Sequence, residues 1–225
     1  MRKLLLGMAV CVATGAIFSA AAFWESKPFA AWSDKEVQQV LTDSPWSRRV
    51  QVVMNTLGPA GDIDARGGGD GDGGGGRGGR GGFPTAAPQL KLLVSWRSAL
   101  PMKQAFVRVQ SGPSGAVSAE QQQLLDRDEP QYVVEILGLP ARFANAIGNM
   151  KDVTFLKRGN KPPLAVSEAA AQQTANGILL LFAFPKTDPI TLDEKEVELV
   201  TKLGTFDVKR KFPLKDMVFR GKLEL

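Results

Sequence analysis

The stretch Gly177 to Pro185 reads GILLLFAFP and is the longest apolar run in the chain after the first two dozen residues. It contains no charged residue. It is too short to span a bilayer, and a glycine at one end with a proline at the other is typical of a strand rather than of a capped helix. The run therefore predicts a strand that is buried on both faces and around which the core forms.

The segment Glu194 to Phe212, EKEVELVTKLGTFDVKRKF, predicts a hairpin that extends the same sheet. A two-residue turn at positions 204 and 205, with glycine first, is typical of a type II′ hairpin. This register places Lys202 opposite Asp207 and Glu198 opposite Lys211, so that opposite charges face each other. One face of the hairpin then covers the core with Val197, Leu199, Thr201, Leu203, Phe206, Val208 and Phe212.

Arg210 is the one charged residue on that apolar face of the hairpin. Its stem can lie along apolar surface while the guanidinium reaches water at the edge of the sheet. The alternative is that Arg210 binds a ligand. The packing interpretation is favoured, and Arg210 is kept as a candidate binding residue.

Capping motifs and apolar patterns predict the remaining elements. Two capping boxes, Ser33 with Glu36 and Ser118 with Gln121, each predict the start of a helix. Further helices are predicted after Pro101, after Pro140 and over 167–176, whereas Pro162 and Pro163 are expected to block regular strand pairing. Strands are predicted over 47–57, 90–100, 132–139 and 151–157. The fold class is α+β: a single domain with a mostly antiparallel sheet and helices packed on one face.

The composition excludes several classes of enzyme. The chain has 225 residues, no histidine and one cysteine. Ser-His-Asp and Cys-His nucleophilic sites need an imidazole, and a typical zinc site needs thiolates or imidazoles. No catalytic residue, metal site or cofactor is therefore predicted. The net charge of +5 includes Arg2 and Lys3, and without them the chain keeps +3, which is too small an excess to indicate a nucleic-acid partner.

The N-terminus, 1–22, has the pattern of a signal peptide. Arg2 and Lys3 precede an apolar stretch from Leu4 to Phe18, and small residues follow up to Ala22. An uncleaved membrane anchor is the alternative, but the apolar stretch is short for a span. We expect export to the periplasm or the extracellular space, cleavage after Ala22, and no stable membrane insertion afterwards. Cys11 would be lost with the peptide, which leaves no disulfide.

Five aromatic residues lie between positions 23 and 46, in FWESKPFAAWSDKEVQQVLTDSPW. Exposed aromatic side chains often mark a recognition surface, so Trp24 and Trp32 are candidate binding residues for a protein or surface partner. The favoured interpretation is packing, because Trp32 stands just before the helix and can contact Val37.

The stretch KPFAAWSDKEVQQVLTDSPW, together with the FPK and KLEL segments near the C-terminus, resembles a family of uncharacterised exported bacterial proteins. The resemblance covers about a third of the chain. The family has no established activity, so the resemblance implies export and no site residue.

Residues 59–88 form a glycine-rich segment that divides the fold. The run GGGDGDGGGGRGGRGG, from Gly67 to Gly82, has no apolar residue and predicts a flexible, disordered insertion. Two other interpretations are weaker: its RGG repeats resemble segments that bind RNA, and four aspartates could collect calcium, namely Asp62, Asp64, Asp70 and Asp72. The domain is then formed by 23–58, with the aromatic helix and the first strand, and by 89–225.

The sequence favours a non-catalytic binding or structural module of unknown partner. The alternative is a carboxylate-dependent hydrolase of the glycosidase type, which needs neither histidine nor cysteine. Its candidate carboxylates are Glu135, Asp188 and Asp193, with a further acidic cluster at Asp126, Asp128 and Glu129 just before the strand at 132–139.

Overall fold

A computed structural model of the protein describes residues 22–53, 89–113, 115–204 and 206–225. Residues 1–21 of the predicted signal peptide 1–22, and the whole glycine-rich insertion 59–88, lie outside these residues. The helices are α1 (Phe23–Ser26), α2 (Asp34–Thr42), α3 (Leu100–Ser111), α4 (Ala119–Asp126) and α5 (Met150–Val153). Short 3-10 turns occupy Phe29–Ala31, Ala141–Ile147, Leu192–Glu194 and Leu214–Met217.

The strands form two main sheets and a small hairpin, and every pairing among the described strands is antiparallel. The strands are β1 (Asp43–Ser44), β2 (Ser47–Val53), β3 (Gln89–Trp96), β4 (Gln131–Leu139), β5 (Phe155–Arg158), β6 (Lys161–Ala165), β7 (Glu168–Thr174), β8 (Gly177–Pro185), β9 (Glu196–Leu203), β10 (Phe206–Pro213), β11 (Val218–Phe219) and β12 (Lys222–Leu223). The first sheet has the order β1-β2-β3-β4-β8-β7 and the second has the order β10-β9-β5-β6.

The two sheets face each other and share one core. The chain passes from the second sheet to the first between β6 and β7, and β10 lies against β2. On β8 the side chains that point inward, Ile178, Leu180, Phe182 and Phe184, are all buried. The indole of Trp96 on β3 meets the ring of Phe212 on β10 edge to face, with 5.2 Å between centroids. This contact joins the inner faces of the two sheets.

The predicted helix starts are confirmed at both capping boxes. In α2 the Ser33 hydroxyl accepts from the Glu36 N–H while the Glu36 carboxylate accepts from the Ser33 N–H. The same exchange between Ser118 and Gln121 begins α4. Helix α2 packs on α3 and against β2 and β3, on the side of the first sheet that carries Leu93. The structure is therefore an α+β domain.

Two predictions about the central strands are corrected. Strand β8 is buried on one face only, because its side chains alternate between buried and half-buried positions such as Leu179 and Leu181. Helix α2 packs on β2 and β3, and the row of Leu179 and Leu181 on β8 stays partly exposed. The β9–β10 hairpin has the predicted register, with Lys202 opposite Asp207, but it belongs to the second sheet.

Two predictions around residues 150–176 are wrong. The segment 167–176 is strand β7 rather than a helix, because pairing with β8 overrides the helix propensity of its alanines. The predicted strand 151–157 is split between α5 and β5.

The interruption of regular pairing at Pro162 and Pro163 is confirmed. Both prolines lie within edge strand β6, where the register shifts between Leu156 and Arg158 and neither proline has a partner in the ladder.

Candidate functional site

A cavity of about 560 Å³ lies at one end of the first sheet. Its walls come from the first turn of α3, the end of α4, the start of β4, the residues after β8 and the C-terminal segment. Charged side chains dominate its lining: Lys103, Asp126, Arg127, Asp128, Glu129, Lys186, Lys222 and Glu224.

The ends of three elements place these charges together. Helix α4 ends at Asp126, and the acidic cluster that follows it leads directly into β4. Strand β8 ends at Pro185, so Lys186 is the first residue beyond the apolar run. Because β4 and β8 are neighbouring antiparallel strands, with Gln131 opposite Pro185, the start of one and the end of the other meet at the same edge.

Lys186 is one of the two residues lining this cavity whose pKa is clearly shifted. Its ammonium lies 4.9 Å from the centroid of the Tyr132 ring, within the range of a cation–π contact. Burial lowers the pKa of Lys186, and the nearby carboxylates of Asp128, Glu129 and Glu224 oppose the shift. Within the described residues no carboxylate lies within 4 Å of its ammonium.

Tyr132, whose ring contacts the Lys186 ammonium, is itself fixed by the loop after β8. Its hydroxyl accepts a hydrogen bond of 2.9 Å from the backbone N–H of Ile190. Burial raises the pKa of the Tyr132 phenol, so the ring stays neutral below pH 10. The floor of the cavity is thus a neutral, oriented aromatic ring.

Most other charges in the cavity already have partners. The Lys103 ammonium, which is 8% exposed, donates to the Arg127 carbonyl at 2.9 Å and lies 3.6 Å from the Glu129 carboxylate. The guanidinium of Arg127 also pairs with Glu129, at 3.0 Å. The Glu224 carboxylate accepts from the Leu100 N–H at 3.4 Å.

Asp128 is an anion in the same cavity that, like Lys186, has no close partner among the described residues. Its carboxylate makes no ion pair or hydrogen bond with the described residues, whereas the neighbouring Asp126 accepts from the Gln122 amide at 2.9 Å. Among the carboxylates that act on the pKa of Lys186, Asp128 has the largest effect. The cavity therefore presents one cation and one anion that the described protein leaves without a close partner.

Arg158 on β5 fixes the loop that contributes Ile190 to the cavity wall. All five N–H groups of Arg158, which is 1% exposed, donate to residues 188–194. The guanidinium meets the Glu194 carboxylate at 2.7 and 2.8 Å, the Asp188 carboxylate and carbonyl at 2.8 and 3.0 Å, and the Pro189 carbonyl at 3.1 Å. Hydrogen bonding from Arg158 lowers the pKa of Glu194 to about 2.

The two candidate tryptophans lie in one aromatic cluster but differ in exposure. Trp32 is 1% exposed, and its indole N–H donates to the Lys27 carbonyl at 3.2 Å. Trp24 is half-buried and meets the ring of Trp46 edge to face, with 5.8 Å between centroids. Phe23 contacts both Trp24 and Trp32 and so connects them.

Arg210 lies apart from the large cavity, on β10. Its guanidinium lies 5.0 Å from the centroid of the Phe212 ring, and the residue is half-buried. Burial lowers the pKa of Arg210, and the charge of Arg48 lowers it further. Its Nε makes no hydrogen bond to the described residues. The binding roles of Trp24, Trp32 and Arg210 stay predictions.

The carboxylates of the hydrolase hypothesis are dispersed. Glu135, 4% exposed, pairs with Arg97 at 2.8 Å, and Asp188 belongs to the Arg158 network. Asp193 is exposed. The acidic cluster before β4 does line the cavity, whereas Lys186, Lys103 and Tyr132 were missed by sequence reasoning. The one signal for Lys186 was its position directly after the apolar run.

The described residues contain no cluster of three or more histidine, cysteine, aspartate or glutamate side chains placed to hold a metal ion. Among the described helices, none is long and apolar enough to cross a membrane. Comparison of the chain with family models, curated proteins and solved structures gives no match. The cavity must therefore be interpreted from its own chemistry.

Proposed function

We propose that the protein is an exported, non-catalytic binding module and that the cavity beside Tyr132 is its ligand site. The ligand class we propose is a small zwitterion, such as an amino acid or a short peptide. The observation that carries the proposal is the pair of charges without close partners, Lys186 and Asp128, in one cavity.

The partly buried ammonium of Lys186 is the group that we expect to bind a carboxylate of the ligand. A partly buried ammonium is penalised because it has lost water, and the lowered pKa of Lys186 reflects this penalty. A bound carboxylate would compensate for the lost water with a charge-assisted hydrogen bond. Asp128 would then accept from the amino group of the same ligand. The volume of about 560 Å³ suits a small molecule.

Export is the second part of the proposal. It rests on the basic start, the apolar stretch and the small residues before Phe23. Helix α1 begins at Phe23, the residue predicted to follow the cleavage site. Mass spectrometry of the secreted or periplasmic fraction should find a chain that starts at Phe23, and an intact chain held only in membranes would contradict export.

Ligand binding is tested by isothermal titration calorimetry at pH 7 with free amino acids and glycyl dipeptides as the probes. We expect saturable binding that Lys186→Met weakens by at least about tenfold, because one charge-assisted hydrogen bond is lost. Methionine keeps the apolar stem on Tyr132. The matched control is Lys209→Met, at an exposed position on β10, which should leave the affinity unchanged.

Two results would contradict the ligand proposal. One is the absence of binding heat for every probe with the folded wild-type protein. The other is an equal loss of affinity in Lys186→Met and Lys209→Met, which would indicate binding through net charge alone.

A carboxylate-dependent hydrolase is the second candidate function, because Asp126, Asp128, Glu129 and Glu224 line the same cavity. Glycosidases place two carboxyl groups on either side of the scissile bond. Turnover of a glycan by the wild-type protein, abolished by Asp128→Asn, would favour this function over binding alone.

A further inference from the structure

The two sheets have four edge strands, and three of them carry features that discourage pairing with another strand. Strand β1 has only two residues. Strand β6 reads KPPLA and contains two adjacent prolines, and β10 carries Lys209, Arg210 and Lys211 in succession. Short length, proline and clustered positive charge are the usual devices that protect a sheet edge.

Strand β7 lacks all three of these features. It reads EAAAQQT over seven residues, with no proline, no lysine and a single charge at Glu168. Most of its residues are exposed, and no described strand pairs with its outer edge. Helix α5 contacts β7 but forms no backbone pair with it. Because hydrogen bonds alternate in an antiparallel ladder, every second N–H and C=O of β7 points away from β8.

We propose that β7 pairs in antiparallel orientation with β7 of a second copy of this chain. The two-fold axis would pass beside Ala171, and the two six-stranded sheets would become one continuous sheet. In this register Ala170 stands opposite Gln172 of the other copy, and Glu168 stands opposite Thr174. No like charges meet, and alanine leaves room for each glutamine.

The sequence of β7 favours a second copy over an unrelated strand. An isologous contact uses the same patch twice, so the patch must complement itself when reversed. The only charge of β7 lies at one end and faces an uncharged threonine after reversal. Strands β6 and β10 are the edges of the other sheet. The prolines of β6 and the cations of β10 disfavour pairing there, which leaves β7 as the better edge.

The register predicts a charge-swap experiment. In the variant with Ala170→Lys and Gln172→Lys, each new lysine faces a lysine of the other copy, and repulsion should abolish the dimer. In the variant with Ala170→Lys and Gln172→Glu, each lysine faces a glutamate, and the dimer should return. The positions are exposed, so neither pair of substitutions removes a core contact. The control places the same two positive charges on α4, with Gln122→Lys and Gln123→Lys.

Sedimentation velocity of the chain, over protein concentrations on the order of micromolar to millimolar, measures the outcome. We expect a dimer for the wild type, for the α4 control and for the lysine–glutamate variant, and a monomer for the double-lysine variant. Amide hydrogen exchange in β7 should also slow as the protein concentration rises. A monomeric wild type, a dimer that survives the double-lysine variant, or a lysine–glutamate variant that stays monomeric would each overturn the proposal.

Discussion

Arg158 and Lys186 are two cations beside the loop that follows β8, and they differ in burial, partners and pKa. Arg158 is fully buried and uses all five of its donors on residues 188–194, and hydrogen bonding to Glu194 raises its pKa. Lys186 is half-buried at the start of that loop, has no carboxylate within 4 Å among the described residues, and has a lowered pKa.

The difference separates a structural ion pair from a cation without a close partner among the described residues, to which we propose that a ligand binds. A buried charge is tolerated when hydrogen bonds replace the water it has lost. Arg158 meets this condition within the chain, and the result is a fixed loop. Ile190 in that loop orients Tyr132, on which Lys186 lies. The satisfied cation therefore holds the wall of the cavity in which the other cation lacks a partner.

The largest expected effect comes from removing the charge that faces Arg158. Glu194→Gln leaves a buried guanidinium with only part of its compensation, and breaking a buried ion pair in this way costs about 3–5 kcal/mol. We expect a loss of that size in the free energy of unfolding, measured by urea denaturation at pH 7. Lys161 also contacts Glu194, at 3.2 Å, but is exposed and adds little.

The matched control is Asp193→Asn, one residue earlier in the same turn. Asp193 is exposed, so the substitution should change the free energy of unfolding by no more than about 0.5 kcal/mol. Equal effects of the two variants would show that Arg158 does not distinguish Glu194 from its neighbour, and the comparison with Lys186 would lose its basis.

Acid should weaken the loop through the same carboxylate. The pKa of Glu194 in the folded protein is about 2, below its ordinary value of 4.5. A lowered carboxylate pKa stabilises the fold above the ordinary value and loses this contribution as pH falls toward 2. The shift corresponds to about 3 kcal/mol, which Glu194→Gln should remove.

The measurement is urea denaturation at a series of pH values between about 6 and about 2. Wild type and Glu194→Gln are compared at each pH. Glu36 also has a pKa lowered to about 2, through its contacts with Lys27 and Ser33, and it contributes in both proteins. The difference between the two proteins should therefore shrink on acidification. A difference that stays constant would mean that Glu194 does not titrate in this range.

Local chemistry allowed several elements to be predicted from the sequence. The capping boxes at Ser33 and Ser118 and the register of the β9–β10 hairpin depend on residues close in the chain, and all three were confirmed. The helix predicted over 167–176 failed because its alanines fit either structure, and pairing with β8 decides between them. The assignment of the hairpin to a second sheet depends on contacts between distant residues, such as Trp96 with Phe212.

The cavity could be predicted only in part. The acidic cluster at 126–129 was noticed, but its meaning depends on which cations the fold brings to it. Lys103 and Lys186 are 83 positions apart and meet through α3 and the end of β8. Pairing within the acidic cluster, as between Arg127 and Glu129, is also invisible in the sequence. Asp128 therefore could not be singled out before the structure.

The smallest expected effect is the most informative about Lys186. Since burial lowers its pKa, the folded protein holds this proton less tightly than the unfolded chain does. The charge therefore destabilises the fold below the folded pKa, and the penalty disappears as pH rises to the ordinary value of 10.5. Lys186→Met should raise the free energy of unfolding at pH 7 by about 1 kcal/mol or less, and this gain should vanish near pH 10.5.

Urea denaturation of Lys186→Met and of the control Lys209→Met at both pH values measures this effect. Lys209 is exposed, so its substitution should leave stability nearly unchanged at either pH. A loss of stability in Lys186→Met at pH 7 would mean that the ammonium is held by a partner within the chain, as Arg158 is. A gain in the free energy of unfolding at pH 7, together with weaker dipeptide binding, would show that Lys186 lowers stability but contributes to ligand binding. Arg158, in contrast, stabilises the loop through partners within the chain.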